Sequence, residues 1–244
     1  MIQYSWSEAF GKKIKKSFFS KSEVDNILLN IKQLEKEKDR KNYIWKYFEQ
    51  DKKTLSRIEY FVNHSLFLNE LANSDKILNE VNALMGEKSV LFKDKINFKY
   101  PNGDGFKPHQ DISAGWNKYS SRHITFALPL SDTTLENSCM FFGETQNKQL
   151  TETFQDLDEN ISLEPMPTEK GDVIFFDSYV PHASYKNNTS EARVVLFFTY
   201  TPISDGNNYE IYHADKFKKV PPDICKIKGK KYKSGNSNSE EKQF

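Results

Sequence analysis

His109, Gln110 and Asp111 form a His-x-Asp pair, and a second histidine, His182, stands far downstream with Ser184 beside it and Arg193 further on. Two neutral imidazoles and one carboxylate can occupy one face of an octahedral metal and leave the opposite face open. That ligand set suits a non-heme Fe(II) that must bind both a cosubstrate and O2. Arg193 brings a fixed guanidinium fork able to grip a carboxylate in two parallel hydrogen bonds, and Ser184 could add a hydroxyl donor. Together these residues read as an iron site served by a carboxylate-bearing cosubstrate, 2-oxoglutarate, which is oxygenase chemistry.

A lone His-x-Asp pair means little in a chain with five histidines, so the elements around it carry the weight. His109 follows the Gly-rich turn Pro101-Asn102-Gly103-Asp104-Gly105, where the end of one strand can present both side chains of an i, i+2 pair toward one pocket. His182 follows Gly171-Asp172-Val173-Ile174-Phe175-Phe176-Asp177, a strand and turn able to return to that pocket. Arg193 opens the apolar run Val194 to Phe198, which places its charge at the rim of a buried barrel, and a buried guanidinium is costly unless paired. The competing reading makes the histidines ordinary turn residues and Arg193 a surface partner of Glu191.

The first ninety residues read mainly as helix. Ser20 and Glu23 have the spacing of a capping box, followed by Val24, Ile27, Leu28, Ile31 and Leu34 at helical intervals. A second helix is expected over Ser74 to Met85, stopped by Gly86. From Val90 the period becomes two. Phe92, Ile96 and Phe98 fall on one face, and Lys93, Lys95, Asn97 and Lys99 on the other. Lys93 and Lys99 are expected on an exposed face. Further strands are expected at His123–Leu130, Ser138–Gly143, Asp172–Asp177 and Arg193–Tyr200. Strands without long helices between them argue for a mainly β, antiparallel core with N-terminal helices packed outside. The expected division is residues 1–90 as the helical part, 91–227 as the core and 228–244 as a mobile tail rich in lysine and serine. Residues 146–170 read as a lid, and the eight lysines from Lys216 to Lys233 as a solvated basic stretch.

Composition sets limits on partners. Lys+Arg and Asp+Glu nearly cancel, giving a formal charge of +1, so there is no general footprint for nucleic acid or an acidic membrane. Cys139 and Cys225 have no metal spacing. Without a secretory leader or a long apolar run, a cytoplasmic location is expected, with oligomeric state unreadable.

From about Lys93 to Tyr200 the chain resembles the phytanoyl-CoA dioxygenase superfamily of Fe(II)- and 2-oxoglutarate-dependent oxygenases. The matching pieces are Lys95 to Lys99, Pro108 to Asp111, Gly171 to Phe176, and His182-Ala183-Ser184 through Arg193. The Lys95–Lys99 strand and Trp116 are most similar to its small-molecule hydroxylases, such as the ectoine and 2-aminoethylphosphonate enzymes. The resemblance implies a double-stranded β-helix (jelly-roll, cupin-like) with His109, Asp111 and His182 on iron. It also implies that Arg193, Ser184 and Asn97 hold 2-oxoglutarate, which is converted with O2 to succinate and CO2 as a substrate C–H bond is oxidised. The stretch Asn137 to Thr145 departs from the mid-barrel turn usual in the family.

For the substrate, Lys95 could grip an anionic group and Trp116 could wall the pocket; each could equally belong to the scaffold. Tyr119, Arg122 and His123 lie near the expected mouth, with a structural role favoured. Asp172 reads as a turn former, and His64 and His213 carry no motif. The leading expectation is hydroxylation of a small, polar, anionic metabolite. The competing classes are a peptide-modifying oxygenase and a non-catalytic cupin-like binding protein.

Overall fold

The computed structural model describes residues 11–37, 44–49, 53–143, 161–232 and 242–243. In chain order the elements are β1 (Lys12–Lys15), α1 (Lys21–Lys36), β2 (Trp45–Phe48), β3 (Leu55–Glu59), α2 (Leu66–Ala72), α3 (Asp75–Met85), β4 (Ser89–Lys99), β5 (Phe106–His109), β6 (Ile124–Pro129), β7 (Met140–Phe142), β8 (Glu164–Met166), β9 (Val173–Asp177), β10 (His182–Ser184), β11 (Arg193–Pro202) and α4 (Tyr209–Lys219). Most of the expected lid, residues 146–160, and most of the tail beyond Tyr232 lie outside the described residues. Residues 161–170 include β8, an edge strand paired to β7.

Two antiparallel sheets face each other in a double-stranded β-helix. The major sheet runs β1-β9-β6-β11-β4-β3-β2, and the minor one β5-β10-β7-β8. The major sheet's outer face carries Ile58, Ile96, Phe98, Phe126, Leu128, Phe175, Leu196 and Phe198, packed in one core with Val24, Ile27 and Ile31 of α1, Leu68 of α2, and Ile77 and Val81 of α3. Between the sheets a smaller apolar cluster joins Ala127, Ile174, Phe176, Val195 and Phe197 to Met140 and Phe142. The period-two alternation of β11 and β9 therefore serves two cores, one under the helices and one inside the barrel.

The local signals explain the helices. Ser20 Oγ accepts from Glu23 N at 3.2 Å while Glu23 Oε2 accepts from Ser20 N at 2.7 Å, a reciprocal cap that satisfies two orphan donors of α1. α3 ends at Gly86 in the left-handed region, φ 80°. Asp172 accepts from Lys16 Nζ, Ser17 N and Glu169 N, so it fixes the turn before β9, as a turn former should.

Three expectations need correction. The first ninety residues also supply β1, β2 and β3 to the major sheet; these strands are four or five residues long, too short to show a clear period. Phe92 does not share a face with Ile96 and Phe98. The pairing of β11 slips so that Thr199 faces Lys93 and Tyr200 faces Leu91. The unopposed Phe92 bulges into a separate aromatic cluster with Ile112, Trp116 and Tyr212. Finally, Lys93 and Lys99 are buried. Helices cover the apolar face of β4 and the second sheet covers much of its polar face, which keeps Lys93 and Lys99 from solvent while Lys95 stays partly exposed.

Candidate metal centre and anion clamp

β5 and β10 are neighbours, and His182 lies directly across from His109 in their register. Gly105 makes this closeness possible, because a Cβ there would stand 2.2 Å from Ser184 O and 2.7 Å from Tyr185 Cα. Two further bonds join the ligand-bearing segments. Gln110 Nε2 donates to Tyr179 O at 2.7 Å, and Ile112 N donates to Ser178 O at 3.1 Å. The result brings one potential ligand atom from each of His109, Asp111 and His182 within 4.8 Å of one another. Their imidazole centroids are 4.2 Å apart, and His182 Nε2 is 3.9 Å from Asp111 Oδ2.

Protonation is set by the backbone. His109 Nδ1 lies 2.8 Å from Lys107 O and His182 Nδ1 2.9 Å from Val180 O. A carbonyl can only accept, so each Nδ1 carries the proton. Burial, and for His109 also the neighbouring His182, lowers both imidazole pKa values, His109 to about 3. Each ring is therefore neutral near pH 7 and offers its Nε2 lone pair. Burial opposes charge on Asp111, yet His182, Lys95, His109 and Lys93 hold its pKa down to about 2. Two neutral nitrogen donors and an ionised carboxylate fit one face of a six-coordinate Fe(II).

Arg193 stands at one end of the barrel interior, 4% exposed, with Nε and Nη1 lacking a hydrogen-bond partner among the described residues. The alternative pairing with an exposed Glu191 is not made. Burial pulls its pKa to about 10, the mark of a cation short of compensation. Asn97, on the same interior face, is buried with Oδ1 unpartnered among the described residues. Ser184 Oγ accepts from Lys99 Nζ at 2.8 Å. Lys99 is cross-strand from Arg193, so Arg193, Ser184 and Lys99 form one polar corner. Lys99, expected on an exposed face, instead joins this corner, in phase with Asn97 two residues before it.

Nearer the triad lies a second group of cations. Lys95 packs its ammonium 4.5 Å from the Phe197 ring centroid, and Lys93 lies 4.8 Å over Trp116. Burial and the charge on Lys93 lower the Lys95 pKa to about 8. β3 adds Arg57 and Glu59, cross-strand from Asn97 and Lys95. Arg57 Nε is 3.2 Å from Glu59 Oε1, and Lys216 of α4 bonds Glu59 Oε2. Lys216 is thus turned inward rather than belonging to a solvated basic stretch. Sequence reasoning missed Arg57, Glu59 and Lys216, although Ile58 on the core side of β3 implies that its two neighbours share the face of Lys95 and Asn97.

Trp116 is buried against Phe92, His123 and Tyr212 in an aromatic cluster. His123 is wholly buried there, its pKa lowered by burial to about 3. Tyr119 donates to Asp215 Oδ2 at 2.9 Å and ties the segment after Trp116 to α4. His213 sits 3.5 Å from Asp94, a carboxylate that also accepts from Tyr60, Phe61 and Val62 amides. His213 is therefore part of the scaffold. No helix among the described residues is long and apolar enough to cross a membrane.

Residues 10–195 match the family model described as Phytanoyl-CoA dioxygenase (PhyH). The chain is 36% identical over 203 residues to a 2-aminoethylphosphonate dioxygenase of Uncultured bacterium HF130_AEPn_1, covering 79% of this chain and 78% of that protein. It is 37% identical over 172 residues to a methylphosphonate hydroxylase of Gimesia maris, covering 66% of this chain and 64% of that protein, just under two thirds of it. Among solved structures, the apoform of EctD from S. alaskensis superposes with a TM-score of 0.67 at 19% identity, covering 81% of this chain and 75% of that one. The epimerase SnoN of nogalamycin biosynthesis gives 0.66 at 18% identity, with 80% and 79% coverage.

Proposed function

This chain belongs to the phytanoyl-CoA dioxygenase family and is an oxygenase; from that premise we propose that it hydroxylates a C–H bond of a small metabolite carrying a phosphonate or similar anionic group. In this reading His109, Asp111 and His182 hold Fe(II), while Arg193, Ser184 and Asn97 hold 2-oxoglutarate. When bound, the metal and cosubstrate supply the activation of O2, with succinate and CO2 as coproducts. The chain's own part is to bind, orient and exclude water. The backbone carbonyls of Lys107 and Val180 keep the imidazole tautomers fixed, and Phe142, Phe176 and Phe197 wall the interior.

One observation carries the substrate class. Lys93 and Lys95 lie beside the triad, where both act on the Asp111 carboxylate, and Glu59 on β3 already serves both Arg57 and Lys216. Burial and the charge on Lys93 hold the Lys95 pKa down to about 8, so its ammonium is short of compensation until an anion arrives. Lys93 and Lys95 act on Asp111, whereas Arg193 does not, so these two favour a second anion, distinct from the cosubstrate. A phosphonate, the group common to the substrates named for the two relatives above, supplies that charge in a compact form. Their place inside the barrel favours a small molecule over a peptide.

The test is turnover of methylphosphonate and of 2-aminoethylphosphonate with Fe(II), 2-oxoglutarate and O2, following succinate and residual phosphonate together. Succinate formed in step with phosphonate loss supports the reading. Succinate at the substrate-free background with both, from protein that binds 2-oxoglutarate, would remove the phosphonate class.

A further inference from the structure

β3 and β4 place Glu59 directly across from Lys95. Opposite charges at facing positions of an antiparallel pair attract and ordinarily bond to each other. In this chain each is drawn elsewhere. Lys95 lays its ammonium 4.5 Å from the Phe197 ring centroid. Glu59 is wholly buried, with Arg57 Nε 3.2 Å from Oε1 and Lys216 Nζ donating to Oε2. Lys216 comes from α4, beyond residues 10–195 that the family model covers. Tyr209, Tyr212, His213 and Lys216 recur at helical spacing, so one face of α4 turns inward. His213 fixes that face 3.5 Å from Asp94 of β4, and Tyr209 stacks on Tyr60 at 5.8 Å. Burial lowers the Lys216 pKa against the pull of Glu59, with Lys93 and Arg57 adding to the fall. Charged or neutral, the amine is a donor and occupies Oε2.

We propose that Lys216 sets the substrate pocket's affinity for anions by keeping Glu59 occupied, so that Glu59 does not neutralise Lys95 across the strand or Lys93 beside it. This rests on reading Lys93 and Lys95 as the cations that receive the substrate's anionic group. Lys216 acts through Glu59, so it is a positioning residue. Without its amine, Oε2 becomes a buried carboxylate oxygen short of a donor, a costly state that the side chain relieves by finding another cation. The cations on the same face are Lys95, its cross-strand partner, and Lys93, whose charge already acts on it. Once either is paired with Glu59, an incoming phosphonate must displace a carboxylate before it can bind.

Methylphosphonate is the probe, titrated anaerobically into protein loaded with Fe(II) and 2-oxoglutarate and read by the shift of the visible keto-acid band. Lys216→Met weakens methylphosphonate by about 10-fold or more in the wild-type background and by less than about twofold in the Glu59→Gln background, the non-additivity of residues that share one network. The affinity for 2-oxoglutarate stays within about twofold throughout, since Lys216 does not act on the Arg193 corner. An equal loss in both backgrounds, or no loss in either, overturns the proposal: Lys216 then acts through space, through the placement of α4, or not at all. Should the doubly substituted protein not fold, Lys216→Arg supplies the second measure. Arginine keeps a donor on Glu59 and holds methylphosphonate affinity within about threefold of wild type; an arginine variant as weak as Lys216→Met overturns the proposal. Wild type that neither binds nor turns over methylphosphonate removes the phosphonate reading, and this inference with it. Wild type that binds it, with the same loss in both backgrounds, removes the inference alone.

Discussion

Replacing Arg193 by methionine should make the metal-free protein more stable and nearly unable to bind 2-oxoglutarate. Arg193 is 4% exposed, and burial holds its pKa at about 10, well below the ordinary guanidinium value. At about 1.4 kcal/mol for each tenfold, that depression means the charged form is disfavoured by about 3 kcal/mol. Methionine keeps much of the aliphatic packing and removes the charge. Some lost contact offsets the gain, leaving about 2 kcal/mol, or about 4–8 °C in melting temperature for a domain of this size. The cosubstrate loses its bidentate partner, and its affinity drops on the order of a hundredfold or more. Thermal melts of metal-free protein without 2-oxoglutarate, beside anaerobic ligand titration, read both effects. A variant that melts below wild type would refute the claim that Arg193 is an uncompensated charge held for a ligand, since a paired structural arginine behaves that way.

Other consequences follow from the same interior. His109, with a folded pKa of about 3 against an ordinary 6.5, binds fewer protons than in the unfolded chain between those values, and His182 is shifted the same way. Stability of the metal-free protein is therefore full above about pH 6.5 and falls by several kcal/mol as pH drops through that window; a urea midpoint at pH 5 equal to that at pH 7.5 would contradict this. Burial opposes ionisation of Glu59, but Lys216, Arg57 and Lys93 hold its pKa well below the carboxylate range. Glu59→Gln leaves those cations facing a neutral amide and costs about 3–5 kcal/mol, measurable by denaturant unfolding. Lys95→Met should lower kcat/KM for methylphosphonate by about 10- to 100-fold with little change in 2-oxoglutarate affinity; an equal loss in both would move Lys95 to the cosubstrate.

The triad and Arg193 were legible because their chemistry demands particular residue types at strand ends, next to turns that glycine marks. Helices α1 and α3 were legible from their caps. What the sequence hid was a matter of sidedness. Period two in Lys93 to Lys99 separates two faces but does not say which one meets water, and in this central strand Lys93 and Lys99 are buried although they lie on the polar face. The same blindness concealed Lys216, which reads as one of many C-terminal lysines until α4 folds back on β3. Phe92 was misplaced because a bulge costs one residue of register and leaves no compositional trace. The short strands β1 to β3 are held by pairing with distant partners, which no local window contains.

The central claim is that His109, Asp111 and His182 form an iron site served by a keto-acid cosubstrate. Anaerobic visible absorption of the purified protein with Fe(II) and 2-oxoglutarate, beside His109→Ala, tests it most directly. A charge-transfer band that needs both additions and is lost in His109→Ala is the expected result. A folded, metal-loaded wild type with no such band, or a band undiminished in His109→Ala, would contradict the account.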